Sequence, residues 1–281
     1  MAFQNNIAKS IVPAIVLLLM AGGRATAAVS SPVLPGNITT FAGTGNWGYS
    51  GDGHAATQAD LQMPIDITFD VSGNLFMADS INEVIRRVDA TTGVITTVAG
   101  KNRVGFSGDG GPATSASLSS PAGLAVDSSG NLYISDSDNN RVRRVNHQTG
   151  IITTFAGSES AGFGGDGGPA IGAALNGPAG LAVDSSGNLY ISDSHNNAIR
   201  KVDATTGVIT TVAGGGSPAL FNTPLGIALD GVGNLYVADS QDSSIRKVVL
   251  STGAVSTRMR SSWGPAPRPM PGPRPPATAP G

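Results

Sequence analysis

No cysteine occurs anywhere in the 281 residues. Disulfide staples are therefore excluded, as are a lipid-modified leader, which needs a cysteine after its signal, and a thiolate nucleophile. Charge is scarce as well, at 13% Asp, Glu, Lys and Arg with a formal net charge of -2. Such a surface offers neither a basic groove for nucleic acid nor a patch for an acidic membrane. Glutamate is confined to Glu83 and Glu159, and Trp47 is the one tryptophan before the proline-rich C-terminal segment, so no lectin-like aromatic platform is visible. No helical periodicity survives between residues 37 and 257. A helical bundle and a βαβ fold are thereby set aside.

What the chain has instead is repetition. The seventeen residues PAGLAVDSSGNLYISDS at 121–137 recur unchanged at 178–194, and looser copies begin at Pro64 and Pro224. Each copy reads as a piece of antiparallel sheet. The apolar run Leu124 to Val126 is a buried strand and Asp127-Ser-Ser-Gly-Asn131 a tight turn. Leu132 to Asp136, Arg141 to Val145 and the Thr-rich Ile151 to Phe155 complete four strands. The closing glycines Gly93, Gly150 and Gly207 stand 57 residues apart, and Gly253 follows 46 later. A fixed period with four strands per repeat predicts an all-β fold, a β-propeller of four-stranded antiparallel blades. The units run 37–93, 94–150, 151–207 and 208–253, within a propeller spanning 37–257. Without disulfides its stability rests on surface buried between blades.

The two ends differ from this pattern. Lys9, the apolar run Ile11 to Met20 and Ala25-Thr-Ala27 compose a signal peptide over 1–27, followed by a short linker at 28–36. The apolar run of about ten residues is half of the roughly 20 that a membrane span requires, so no membrane insertion is expected after cleavage. Residues 258–281, rich in Pro, Arg and Ala, read as disordered: a linker, or out-of-frame translation of a gene that once continued with more blades.

Proline, glycine, an apolar strand, Asp-x-x-Gly-Asn-Leu-Tyr, then Ala/Ser-Asp-Ser and a basic strand resemble the NHL repeat. Ile-Thr-Thr-Phe/Val-Ala-Gly followed by Gly-Phe-Ser-Gly-Asp-Gly-Gly-Pro-Ala is similar, more narrowly, to the teneurin-type NHL units of exported bacterial proteins. The resemblance implies a propeller, typically of six blades, that binds proteins, glycans or small molecules. Four units are fewer than that, so ring closure is left open: a tight ring, an open arc, or a fragment completed by another chain. The outer-type text Asn37 to Gly43 is a candidate closing strand for the fourth unit.

Few residues suggest chemistry. Gly51-Asp-Gly-His54, Gly108-Asp-Gly-Gly-Pro112 and Gly165-Asp-Gly-Gly-Pro169 offer one carboxylate each among glycines, where calcium takes six to eight oxygens. A positive-φ turn feeding a short helical turn accounts for them without a ligand. Asp79, Asp136, Asp193 and Asp239 close the second strand of every unit, and Arg86, Arg143, Arg200 and Arg246 hold one place in the third. An element repeated in every blade serves every blade, so capping or ion pairing is expected of them. The histidines break the repeat: alternating strand directions place His54 and His195 on one face and His147 on the other, which precludes a shared metal. No Gly-x-Ser-x-Gly elbow is present.

These observations lead to an exported, non-catalytic binding scaffold with a protein or glycan ligand, no nucleic acid, no cofactor, and no catalytic or metal residue. The ligand surface is expected on the face of the glycine-rich loops at 48–60, 105–117 and 162–174, with Asp109, Asp166, Asn139, Asn196, His195, Tyr49, Phe106 and Phe163. Two alternatives stay open. One is an enzyme of the gluconolactonase or peptidyl-hydroxyglycine lyase type with a channel metal; the other is a structural or adhesin repeat, or a truncated piece of a larger protein.

Overall fold

A computed structural model describes residues 38–216 and 219–257. The signal peptide, the linker and the proline-rich segment expected at 1–27, 28–36 and 258–281 lie outside the described residues. The chain divides into compact units at 1–39 and 40–281, and the described structure is almost wholly the second.

Among the described residues sixteen strands form four separate sheets, each four-stranded, antiparallel and in sequence order. Blade 1 comprises β1 (Pro64–Phe69), β2 (Leu75–Asp79), β3 (Val84–Val88) and β4 (Ile95–Ala99). Blade 2 comprises β5 (Pro121–Val126), β6 (Leu132–Asp136), β7 (Arg141–Val145) and β8 (Ile152–Ala156). Blade 3 holds β9 (Pro178–Val183), β10 (Leu189–Asp193), β11 (Ala198–Val202) and β12 (Ile209–Gly214). Blade 4 holds β13 (Pro224–Leu229), β14 (Asn234–Asp239), β15 (Ser244–Val249) and β16 (Ala254–Thr257). Each sheet therefore takes its outer strand from the text after the closing glycine.

Local chemistry fixes the hairpins. Asp127 Oδ1 accepts the N–H groups of Ser129 and Asn131, while Gly130 supplies a φ of +83°. Asp70, Asp184 and Asp230 repeat this turn. Asn131 Oδ1 then accepts His147 N–H, which ties the first turn of the blade to its third.

The core lies between blades. Phe76, Ala78 and Ile85 of blade 1 pack against Leu124, Leu132 and Ile134 of blade 2. Tyr133 and Val142 meet Leu181, Leu189 and Ile191 in the same way, and Tyr190 and Ile199 meet Leu235 and Val237. Both faces of β2, β6 and β10 are buried along their whole length. On the inside, β1 abuts β5, β5 abuts β9 and β9 abuts β13, which sets four blades around one axis as a four-bladed β-propeller. Gly123 and Gly180 permit this approach, since a Cβ on either would lie 2.1 Å from Ala179 O or 2.4 Å from Leu225 O.

The closing strand anticipated at 37–43 is not formed. Residues 38–43 carry no strand, Gly43 N–H bonds Ala56 O, and blade 4 is completed by its own β16. Among the described residues no packing comparable to the other three joints connects β13 back to β1.

Candidate functional site

The repeated acids and bases prove to be one device. Asp136 is fully buried at the end of β6, where Oδ1 accepts Ser119 N–H at 2.7 Å and Asn139 Nδ2 at 2.8 Å. Its Oδ2 takes Nη1 of Arg143, also fully buried, at 3.1 Å. Arg143 Nη2 continues outward to Asp109 Oδ1 at 2.6 Å and to Ser107 O at 3.2 Å. Blade 3 repeats the chain with Asp193, Arg200 and Asp166, and blade 1 with Asp79, Arg86 and Asp52. Blade 4 lacks the glycine-rich loop, and Arg246 there bonds Asp239 and Asp242 instead.

Burial pushes the Asp136 and Asp193 carboxyls upward, while backbone N–H groups, Asn139 or Asn196, and the arginine oppose it. Asp109 is drawn up by burial but ends below the usual value, because Thr154 and Arg143 outweigh that effect. Phe106 caps Arg143 with the guanidinium 4.7 Å from the ring centre, as Tyr49 and Phe163 cap Arg86 and Arg200. The strand-end carboxylates Asp79, Asp136 and Asp193 pair with the buried arginines, the role expected of them.

The glycine-rich loops depart from expectation. Each starts at the second-hairpin end, where Asn82, Asn139 and Asn196 bond Gly48, Gly105 and Gly162 O, and then runs down the outer rim of the blade that follows it in sequence. Gly110 N–H bonds Ile152 O, Ile152 N–H bonds Gly111 O, and Pro112 bridges Ile151. The loop thus covers the free edge of the outer strand, an edge that otherwise invites pairing with another chain. Positive φ at Gly108 and Gly110 and a 3₁₀ turn at Ala113–Ser115 shape it. Asp109, Asp166, Asn139 and Asn196 are held by Arg143, Arg200, Asp136 and Asp193, while the Asp109 and Asp166 side chains stay 38% and 46% exposed at the rim.

The descent also moves a histidine. His54 O accepts Ile95 N–H and the adjoining Ala55 bridges Val94, at the blade end that carries the third-to-fourth-strand turn. That is the end where His147 sits in its own blade, whereas His195 N–H bonds Asn176 O at the opposite end. Strand alternation groups His54 with His195 only if the loop stays on the face where it starts, and it does not. Among the described residues no group of three or more His, Cys, Asp or Glu is placed to hold a metal ion.

The four inner strands around the axis bring out a further residue, Asp66. It stands on β1 where β5, β9 and β13 carry Gly123, Gly180 and Gly226, and it is the one acid on the four inner strands. An opening of about 490 Å³ on the axis is walled by these strands, with Ile65, Ile67, Leu124, Leu181, Leu225 and Ile227 beside Asp66. Asp66 Oδ2 accepts Leu124 N–H at 2.7 Å and Oδ1 accepts Ile67 N–H at 2.9 Å. Burial raises its pKa, and these two N–H groups act against the rise. No cationic side chain among the described residues pairs with it. The aligned copies carry the signal, an acid at a position otherwise held by glycine.

The fold and its repeated turns define a class, the β-propellers built from short sequence repeats. A family model of the teneurin NHL domain matches residues 102–163 and 161–219. The chain is similar to mouse teneurin-1, at 31% identity over 66% of this chain and 7% of that protein. Human NHL repeat-containing protein 2 is 28% identical over 63% of this chain and 26% of its own length. A solved protein of unknown function from Bacteroides thetaiotaomicron superposes with a TM-score of 0.53 at 28% identity, covering 64% of this chain and 46% of that one. The chain belongs to the NHL-repeat family. It spans about a quarter or less of these two curated relatives and just under half of that solved chain.

Proposed function

We propose that the protein is an exported, non-catalytic recognition module that takes a cationic group of a protein ligand, a lysyl or arginyl side chain or an amino terminus, into the axial opening at Asp66. One observation carries the reading: the sole acid on the four inner strands is partly buried, lines a largely apolar opening, and lacks a cationic partner among the described residues. A carboxylate in such surroundings gains from an ammonium or guanidinium that replaces lost water. Apolar walls suit the aliphatic stem of that side chain. The non-catalytic part of the reading is supported by the commitment of the repeated Asp–Arg pairs to the interior, and export by the pattern of residues 1–27.

The test is calorimetric titration with N-acetylated Gly-Lys-Gly and N-acetylated Gly-norleucine-Gly, in which the lysyl ammonium is the one cationic group and is absent from the second. Saturable binding of the lysyl peptide alone, lost in Asp66→Asn, is the expected result. Equal behaviour of the two peptides, or of the two proteins, would reject the assignment.

A further inference from the structure

Blade 1 and blade 4 each expose half of the joint that holds the other blades together. Three features recur at the internal joints. A residue in left-handed conformation at the tip of the second hairpin accepts an N–H from the residue before the next inner strand: Glu83 Oε2 from Ser120 at 2.7 Å, Asn140 Oδ1 from Gly177 at 3.0 Å, Asn197 Oδ1 from Thr223 at 2.8 Å. At the second and third joints a serine hydroxyl also donates to the proline carbonyl beside it, Ser137 to Pro178 O and Ser194 to Pro224 O. A β-branched residue of the third strand, Ile85, Val142 or Ile199, is sealed to 0% exposure against the neighbouring blade.

Among the described residues both halves of a further joint are present and unfilled. On blade 4, Ser243 keeps the left-handed backbone at φ +48°, Ser240 occupies the place of Ser137, and Ile245 occupies the sealed position yet is 51% exposed. β14 alternates between buried and half-buried where its counterparts are buried throughout. Gly226 leaves open space where Gly123 and Gly180 receive the next inner strand. On blade 1, Met63 retains φ +54° like Ser120, and Ile67 is 57% exposed where Leu124 is 3%. Beside Met63 a groove of about 570 Å³, bordered by Leu61, Pro64 and Trp47, occupies the place that a preceding hairpin tip takes at the other joints.

We propose that blade 4 of one copy docks onto blade 1 of a second copy, head to tail, with Ser243 entering the groove at Met63 and Ile245 packing on Ile67. The argument is continuity: the two open faces carry the residue types and backbone conformations of a joint that this chain already forms three times. A left-handed backbone at Met63 is unfavourable for a residue with a side chain, a strain that a docked partner accounts for. Each copy presents one half of the joint at each end, so the contact is heterologous and joins copies in rings or rows.

Analytical ultracentrifugation of the purified chain tests this, together with Ile67→Arg and Ile245→Arg, both at exposed positions, with circular dichroism to establish that each variant is folded. The chain is expected to sediment as a dimer or larger species, and each variant alone as a monomer. Mixing the two variants restores one undamaged joint, since the first keeps a sound blade 4 and the second a sound blade 1, and gives a complex of one copy of each. A parent chain that stays monomeric at high concentration, or a mixture that stays monomeric, would overturn the proposal. A second readout uses Met63→Cys with Ser243→Cys in one otherwise cysteine-free chain. Oxidation is expected to link separate copies; a bond formed only within one chain would mean that four blades close on themselves, and would equally overturn it.

Discussion

Asp109 lies 34 residues before Arg143 and accepts a hydrogen bond from its Nη2 at 2.6 Å. The contact fastens a rim loop to the middle of a blade. Because the same guanidinium holds Asp136, one fully buried cation couples the loop, the second hairpin and the third strand.

Loosening the outer half of this strut frees the loop without breaking the sheet. In Asp109→Asn, amide exchange at Gly110 and Gly111 is expected to accelerate while that of β6 and β7 stays unchanged, as read by hydrogen–deuterium exchange. Arg143→Lys is expected to do the same and to lower stability, since an ammonium cannot bridge two carboxylates in the fork geometry of a guanidinium. Uniform protection of the loop in both variants would show that backbone pairing alone holds it.

Two loop glycines separate conformation from contact. Gly110 has φ +80° and open space where a Cβ would point, so Gly110→Ala is expected to cost about 1–2 kcal/mol from the left-handed backbone alone. At Gly108 the φ is +93° and a Cβ would lie 2.7 Å from Ala116 Cα. Gly108→Ala is therefore expected to be the more destabilising of the two in urea unfolding, and equal midpoints would contradict the packing described.

Opposite pH dependences are expected at two acids. Burial holds the Asp66 carboxyl above its ordinary 3.8, so the folded state binds the extra proton and the contribution of Asp66 to stability falls as pH rises from 3.8 through the raised value. Asp109 ends below 3.8, so its contribution is full above 3.8 and is lost as pH falls through the lowered value. Melting of the parent chain relative to Asp66→Asn should thus decline with rising pH in the first window. Relative to Asp109→Asn it should increase with rising pH in the second. Parallel trends would show that one of the two environments is misassigned.

Much of this architecture is legible in the residues. Asp127-Ser-Ser-Gly-Asn131 specifies its own turn, and Leu132 to Asp136 and Arg141 to Val145 are strands at the bounds that their text suggests. Local hydrogen bonding and strand burial write themselves into adjacent positions. The Arg143–Asp109 link does not, because it depends on the loop turning down the blade rim after Ser107, a path set by pairing with Ile151 and Ile152. The same path carries His54 to the end opposite the one that strand alternation suggests. Asn37 to Gly43 carries the letters of an outer strand, but no strand forms over 38–43, where Gly43 N–H bonds Ala56 O. Asp66 is visible in the residues as a departure from glycine at Gly123, Gly180 and Gly226, yet only the four inner strands around the axis give that departure a place.

Whether the repeated Asp–Arg pairs hold the blades together, and are not a ring of binding groups, is tested most directly by the melting of Asp136→Ala and Asp193→Ala. Removing one partner of a buried ion pair strands the other charge, which typically costs about 3–5 kcal/mol. Both variants are therefore expected to melt well below the parent chain and, where still folded, to bind the lysyl tripeptide as before. Unchanged melting together with loss of that binding would contradict the account.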